Sequence, residues 1–234
     1  MNKILIVILL SILSLNADEI YATFSVQAQR DASLAFVSGG IINKITVDIG
    51  SVVKKGEVLA TLQNSDLKAM LDKSKTVLKY AKKDFQRQLK IRKLIDIGKF
   101  DAVSKNYESA KNSEAYAQAL YNKTFLKAPF DGMIYDKELE VGDAVSGMVP
   151  KTVFKIQSLK SRKLILEFDQ KYNKIVKVGD KFRYKIDGDG ETHIGFISKI
   201  YPHADTKNRK IRAEVKAENL TVGLFGDGYI IRNR

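Results

Sequence analysis

Residues 39–59 read GGIINKITVDIGSVVKKGEVL, and a related pattern returns as APFDGMI at 128–134, VGDAV at 141–145 and VFKI at 153–156. In both copies branched apolar residues alternate with polar ones and a glycine ends each short run, which is typical of half-buried strands and tight turns. Neither copy has enough strands to bury a core alone. The repeat therefore predicts one small β-sandwich that is assembled from two distant halves of the chain.

Six residues of the two copies are predicted to specify turns and to carry no chemistry. Glycine adopts positive φ without steric cost, and an Asp-Gly pair favours a hairpin turn. The predicted structural turn residues are Gly40, Gly50, Gly56, Asp131, Gly132 and Gly142.

The segment between the copies has a helical pattern. Ser65 and Asp66 offer helix-capping side chains, and neither Gly nor Pro interrupts the run before Gly98. The second run stops before Pro129, because the residue preceding a proline is disfavoured in a helix. Residues spaced three and four apart, typical of a coiled-coil pair, are Leu71, Ser74, Leu78, Ala81, Phe85, Gln88, Arg92 and Ile95, then Val103, Tyr107, Ala110, Glu114, Ala117, Tyr121 and Thr124. Two antiparallel helices of about 30 residues are predicted over 66–127, forming a rod on the order of 45 Å long. A helical subdomain packed against the sandwich is the alternative.

The bend of this hairpin is predicted near Gly98, where the helical pattern breaks. Apolar residues flank it, namely Leu94, Ile95, Ile97, Phe100 and Val103. Some of them close the last turn of the hairpin, and the others form an exposed patch of the kind that marks a docking site. The candidate docking residues are Leu94, Gly98, Phe100 and Ser104, with the Ser104 hydroxyl available to hydrogen-bond across the junction.

The last third of the chain predicts five or six antiparallel strands joined by Gly-rich turns, which indicates a small barrel. The predicted class is mainly β with an α-helical coiled-coil hairpin, in which the hairpin splits a β-sandwich and a small antiparallel β-barrel follows. The predicted ranges are 18–65 for N-terminal strands and the first half of the sandwich, 66–127 for the hairpin, 128–158 for the second half and 159–234 for the barrel.

The first 17 residues carry one lysine and a short apolar run, which predicts a cleaved export signal, with an uncleaved anchor as the alternative. The net charge of +13 invites a nucleic-acid partner. Export and the interleaving of Lys with Asp argue against one, and no nucleic-acid partner is predicted. The chain has no Cys, which excludes disulfides, thiol catalysis and thiolate metal sites.

No pattern of catalytic residues is present, so a non-enzymatic protein without a cofactor is predicted. His193 and His203 are the two histidines, ten residues apart, and no metal centre is predicted from them. No paired-carboxylate, nucleophile–base or phosphate-loop pattern is present.

Three stretches, at 40–66, 127–145 and 195–219, together resemble the periplasmic adaptor or membrane fusion protein family of tripartite efflux systems, with adaptors of resistance-nodulation-division pumps most similar. The resemblance covers nearly all of the predicted mature chain. It implies a lipoyl-like sandwich split by the hairpin, without the lysine that carries a cofactor in true lipoyl domains. Larger relatives have a membrane-proximal domain after the barrel, and because this sequence ends at Arg234 their contacts through that domain are not carried over.

The same resemblance implies the location and the partners. The expected partners are an inner-membrane transporter, an outer-membrane channel and further copies of this chain in a ring, commonly of six. The expected location is the periplasm, in association with the inner membrane through the transporter. An ATP-driven exporter or type I secretion system is the alternative transporter class, and an exported metal or small-ligand carrier is the alternative function.

Overall fold

The computed structural model describes residues 19–232, so the predicted signal at 1–17 lies outside the described residues. No helix of the described chain combines the length and the apolar character needed to cross a membrane. The described chain forms two compact units, one containing Arg30–Leu159 and the other containing residues 19–29 and 160–232.

The elements in chain order are β1 (Glu19–Ala28), β2 (Asp31–Ala35), β3 (Gly40–Ile45), β4 (Val52–Val53), β5 (Val58–Leu62), α1 (Ser65–Lys90), α2 (Ile97–Asn122), β6 (Phe125–Lys127), β7 (Gly132–Lys137), β8 (Ala144–Val145), β9 (Thr152–Ser158), β10 (Ser161–Asp169), β11 (Lys181–Ile186), β12 (His193–Asp205), β13 (Lys210–Glu218) and β14 (Phe225–Ile231). Short 3₁₀ helices occur at Arg92–Leu94 and Gln170–Tyr172.

The unit formed by the chain ends is a closed antiparallel barrel in the order β1-β10-β13-β12-β11-β14. Its first strand comes from outside the predicted range 159–234. Phe24 in β1 is opposite Leu166 of β10 on one side and Gly226 of β14 on the other. This pairing joins strands far apart in sequence, and a local strand pattern does not reveal it.

Aromatic rings fill the barrel interior because two glycines leave room for them. The Phe24 ring meets Phe182 and Tyr184 edge-on, with centroids 5.9 Å and 5.2 Å away. A Cβ atom at Gly226 would lie 2.6 Å from the Phe24 ring, and one at Gly228 would lie 2.7 Å from the Cα of Tyr184. Buried side chains alternate with more exposed ones along β1, as in a strand with one face toward the core and the other toward solvent.

The other unit contains the sandwich, whose two four-stranded sheets each combine both sequence copies. Their orders are β2-β9-β7-β4 and β6-β5-β3-β8. Its core includes Ile42 and Leu59 from the first copy with Ile134 and Phe154 from the second, all nearly or completely buried. The predicted fold class, with a split sandwich, a helical hairpin and a small barrel, is confirmed.

The predicted turn residues fall into two groups in the structure. Gly50, Gly56 and Gly142 lie in tight turns, with φ of 87°, 85° and 97°. Gly40 and Gly132 instead begin strands β3 and β7. The turns predicted at Gly40 and Gly132 are therefore wrong.

Asp131 and Gly132 connect the two sheets of the sandwich, because β6 pairs with β5 whereas β7 pairs with β4 and β9. A side chain at Gly132 would overlap the Gln157 carbonyl oxygen, so glycine permits a close backbone approach there. The Asp131 carboxylate accepts a 2.7 Å hydrogen bond from the Lys55 amide and joins the two sequence copies.

The two helices have 26 residues each, which corresponds to about 39 Å and is shorter than predicted. The capping prediction is wrong, because Asn64 occupies the N-cap of α1 without a side-chain capping bond. The Asn64 amide instead donates a 2.9 Å hydrogen bond to the Thr124 hydroxyl, which ties the two ends of the hairpin together. Residues Phe125–Lys127 of the predicted helical range form β6, because they pair with β5.

The helices pack along the predicted coiled-coil positions. Those from Leu71 to Gln88 and from Val103 to Thr124 are buried or half-buried, whereas Arg92 is exposed. Within the helices, full burial is limited to Leu71, Ala81, Ala110 and Ala117. The pair therefore buries mainly small side chains and leaves most of its surface exposed.

Candidate functional site

The hairpin bend begins earlier than the sequence suggests. Helix α1 ends at Lys90, and Asp96 is the N-cap of α2, with its carboxylate accepting a 3.2 Å hydrogen bond from the Lys99 amide. Gly98 lies in the first turn of α2 and does not form the bend. The prediction failed because a good capping residue two positions earlier starts the second helix and Gly is tolerated in its first turn.

Apolar side chains are exposed at this bend. Leu94 is 85% exposed, Ile97 is 68% exposed and Ile91 is 43% exposed. We refer to Ile91, Leu94 and Ile97 as the tip patch. Ile91 is not among the predicted docking residues, because the helical pattern of the sequence continues past it. In the structure Ile91 is the C-cap of α1.

Phe100 packs inside the hairpin, directly beneath the tip patch. Its ring lies 5.8 Å from that of Phe85, and the Phe85 ring stacks on Tyr107 at 5.1 Å. The Arg92 guanidinium lies 4.7 Å from the centre of the Phe100 ring, within cation–π distance. These contacts close the last turn beneath the bend.

Ser104 is also engaged within α2. Its hydroxyl donates a 2.9 Å hydrogen bond to the Phe100 carbonyl oxygen, one turn earlier in the helix. The four predicted candidates therefore have different positions: Leu94 projects outward, Gly98 shapes the first turn, and Phe100 and Ser104 face the hairpin interior.

The surroundings of the tip patch are basic. Lys90, Arg92, Lys93 and Lys99 lie within 90–99, against one acidic residue, Asp96. Such a surface favours an apolar partner with acidic side chains at its rim.

The two helices differ in charge along the rod. Helix α1 carries eight Lys and Arg against three Asp and Glu, whereas α2 carries three of each. Some α1 cations are neutralised locally, since the Asp72 carboxylate accepts a 2.7 Å hydrogen bond from Lys68 and thereby raises the pKa of that ammonium group. The rod therefore has one basic helix and one neutral helix.

A group of side chains of the kinds that ligate metal ions lies in the barrel, where the loop from β11 leads into β12. One oxygen or nitrogen from each of Asp189, Glu191 and His193 lies within 4.8 Å of the others. The His193 Nε2 atom is 2.9 Å from Asp189 Oδ2, whereas His203 is exposed further along β12. The spacing between the two histidines does not reveal this group. The sequence signal for it is the Asp-x-Glu-x-His spacing of residues 189–193.

The chain matches a known protein family through its sandwich and hairpin. Residues 31–158 match the family described as "CzcB-like, barrel-sandwich hybrid domain". The cobalt-zinc-cadmium resistance protein CzcB of Cupriavidus metallidurans is 26% identical over 221 aligned residues, covering 80% of this chain and 41% of that protein. An uncharacterised Haemophilus influenzae protein is 25% identical, with coverage of 78% and 48%. The chain thus spans less than half the length of these relatives.

Solved structures share the fold. A MacA-MexA chimeric protein containing the Pseudomonas aeruginosa MexA α-hairpin domain superposes with a TM-score of 0.83 at 20% identity, covering 91% of this chain and 78% of the other. MacA from Actinobacillus actinomycetemcomitans gives a TM-score of 0.75 at 19% identity, covering 92% and 78%. At these identities the likeness concerns the fold alone.

Proposed function

Because this chain belongs to the CzcB-like family of membrane fusion proteins, the periplasmic adaptors, we propose that it is the adaptor subunit of a tripartite efflux pump. In this role it lies in the periplasm and bridges an inner-membrane transporter to an outer-membrane channel. The family is one of adaptors and not of enzymes, in agreement with the prediction of a non-enzymatic protein. The resistance-nodulation-division class is the favoured transporter, on the ground of the moderate hairpin length.

The observation that carries the proposal is the tip patch. Leu94 at 85% exposure has no role in the hairpin core, which Phe85 and Phe100 close beneath it. Burying an exposed leucine in an interface gains about 2 kcal/mol. The proposed partner surface is the periplasmic end of the channel, with apolar side chains for the tip patch and carboxylates for the surrounding basic residues.

The hairpin also supports assembly with further copies in a ring, for which six copies are proposed. The two-helix core is sparse, and Val77 and Tyr80 on α1 are at least half exposed, so a neighbouring hairpin gains apolar contact by packing there. Contact between two basic α1 helices is unfavourable. Packing α1 against the neutral α2 of the next copy avoids that repulsion and repeats around a closed ring.

Paired cysteines test the ring arrangement in this cysteine-free chain. Tyr80→Cys on α1 and Ser109→Cys on α2, combined in one chain and treated with a short bifunctional cross-linker in cells, should give a ladder of oligomers. Each single variant serves as the control and should give no ladder. A cross-linked dimer from Tyr80→Cys alone would contradict the α1-to-α2 arrangement.

Charged substitutions in the tip patch test the docking role. Leu94→Asp and Ile97→Asp should each abolish pump-dependent resistance, because a carboxylate in an apolar contact is costly to bury. The measurement is the minimum inhibitory concentration of a compound that the wild-type pump exports. Met148→Asp is the matched control, since Met148 is 94% exposed in a loop of the sandwich, remote from the bend in sequence.

Protein level and far-UV circular dichroism accompany this assay, to separate lost docking from lost folding. Full resistance with well-folded Leu94→Asp and Ile97→Asp chains would exclude the tip patch as the docking surface. Ser104→Ala should retain resistance, because the Ser104 hydroxyl bonds within its own helix.

A further inference from the structure

The loop from β11 to β12 places three metal-ligating side chains together. Asp189 and Glu191 are exposed and His193 is half-buried, and their ligand atoms lie within 4.8 Å of one another. In the described part of the chain no other such group of three occurs. One residue separates each member of the group from the next, in the stretch that leaves the turn at 187–188 and enters β12 at His193.

The histidine ring is held in place from outside the group. His193 pairs with Tyr184 across β11 and β12, and the two rings stack with centroids 5.3 Å apart and planes inclined by 26°. Tyr184 is itself anchored in the barrel core against Phe24 and Phe182. A well-packed tyrosine therefore fixes the ring while its Nε2 atom faces the Asp189 carboxylate.

The Asp189 carboxylate is oriented as well. Its Oδ1 atom accepts a 2.9 Å hydrogen bond from the Glu191 amide. That bond is the main reason why the pKa of Asp189 is lowered, and the hydrogen bond with His193 adds to the effect. The two hydrogen bonds hold the Asp189 carboxylate beside the imidazole ring.

We infer that Asp189, Glu191 and His193 bind a divalent transition-metal cation of the Zn²⁺ class, through two carboxylates and one imidazole. Imidazole nitrogen favours such cations over Mg²⁺ and Ca²⁺, which prefer oxygen. Three protein ligands leave a fourth tetrahedral position open. An exposed site of this kind suits transient binding, in which the metal is readily exchanged.

The His193–Asp189 pair needs only a small adjustment to hold the ion. Ligand atoms about 2.0–2.2 Å from a tetrahedral Zn²⁺ are about 3.3–3.6 Å apart. His193 Nε2 and Asp189 Oδ2 are 2.9 Å apart, so they separate slightly as the ion enters between them.

The two histidines allow a direct test with the full chain, since His203 is an internal control. Imidazole ¹⁵N–¹H spectra are recorded during titration with zinc sulfate in excess magnesium, and His203→Gln assigns the signals. The His193 signals should shift and saturate near one equivalent, while those of His203 do not. Asp189→Asn and Glu191→Gln should each weaken binding by about tenfold or more, with backbone amide spectra unchanged.

Asp189→Asn keeps an oxygen that can accept from the Glu191 amide, so the loop is expected to persist. If that variant unfolds, Glu191→Gln at the exposed position decides the question. Equal responses from both histidines, no response, or unchanged affinity in Glu191→Gln would overturn the inference. Because the readout is metal binding by the chain, it is independent of whether the protein serves as an efflux adaptor.

Discussion

The interiors of the barrel and of the helical hairpin are packed with different kinds of side chain. The barrel packs large rings against backbone, with Phe24, Phe182 and Tyr184 lying beside Gly226 and Gly228. The hairpin fully buries one leucine and three alanines along two helices of 26 residues. The barrel interior therefore carries its own stability, whereas the hairpin leaves apolar and charged surface available to other molecules.

The largest loss of stability is expected from emptying the barrel core. Phe182 is completely buried, and Phe182→Ala should lower the free energy of unfolding by about 3–5 kcal/mol. Urea unfolding followed by far-UV circular dichroism measures this change. Phe225→Ala is the control at a 63% exposed position of the same barrel, with an expected change of about 0.5 kcal/mol or less.

Adding one methyl group inside the barrel should cost less, but still more than a change in the hairpin. A Cβ at Gly228 would overlap the Arg183 carbonyl oxygen, so Gly228→Ala should destabilise by about 1–3 kcal/mol. Gly190 has open space around its Cβ position, and Gly190→Ala should be close to neutral in the same assay. Equal losses from the two variants would show that close packing does not control the barrel.

A cavity in the hairpin should have a smaller and local effect. Phe85→Ala removes the ring that contacts Phe100 and Tyr107, at an expected cost of about 1 kcal/mol. Amide hydrogen exchange should accelerate on both sides of the bend and stay unchanged in the barrel. Leu89→Ala, at a half-exposed position, is the control. Faster exchange in the barrel would contradict the separation of the two regions.

The smallest effect concerns a surface ion pair of the sandwich. The 2.8 Å hydrogen bond from Lys155 lowers the pKa of Asp136 below its ordinary value of 3.8. The pair therefore stabilises the folded state when the pH is above 3.8. Its contribution is lost as the pH falls through the lowered pKa of Asp136. Asp136→Asn should reduce the melting temperature slightly at about pH 7 and leave it unchanged at about pH 2.

The sequence predicts those elements whose signal is local. The heptad-like spacing from Leu71 to Gln88 identifies the packed face of α1, and the alternating copies identify the sandwich strands. The exposed apolar surface at the bend is predicted through Leu94, whose exposure follows from its position there.

The remaining features depend on contacts between distant residues or on competing local preferences. The place of β1 in the barrel depends on partners more than a hundred residues away, such as Glu167 opposite Thr23. Gly132 resembles a turn residue in sequence, and its close approach to Gln157 becomes evident only in the folded sheet. At the bend, capping by Asp96 outweighs the tendency of Gly98 to end a helix.

Cross-linking at the bend tests the central claim most directly. In a chain without native cysteine, Leu94→Cys is expressed with the natural transporter and channel and treated with a bifunctional maleimide, with Met148→Cys as the control. The account predicts an adduct between Leu94→Cys and the outer-membrane channel, identified by mass spectrometry, and none from Met148→Cys. No channel adduct in cells where the pump is active, or equal adducts from both variants, would contradict it.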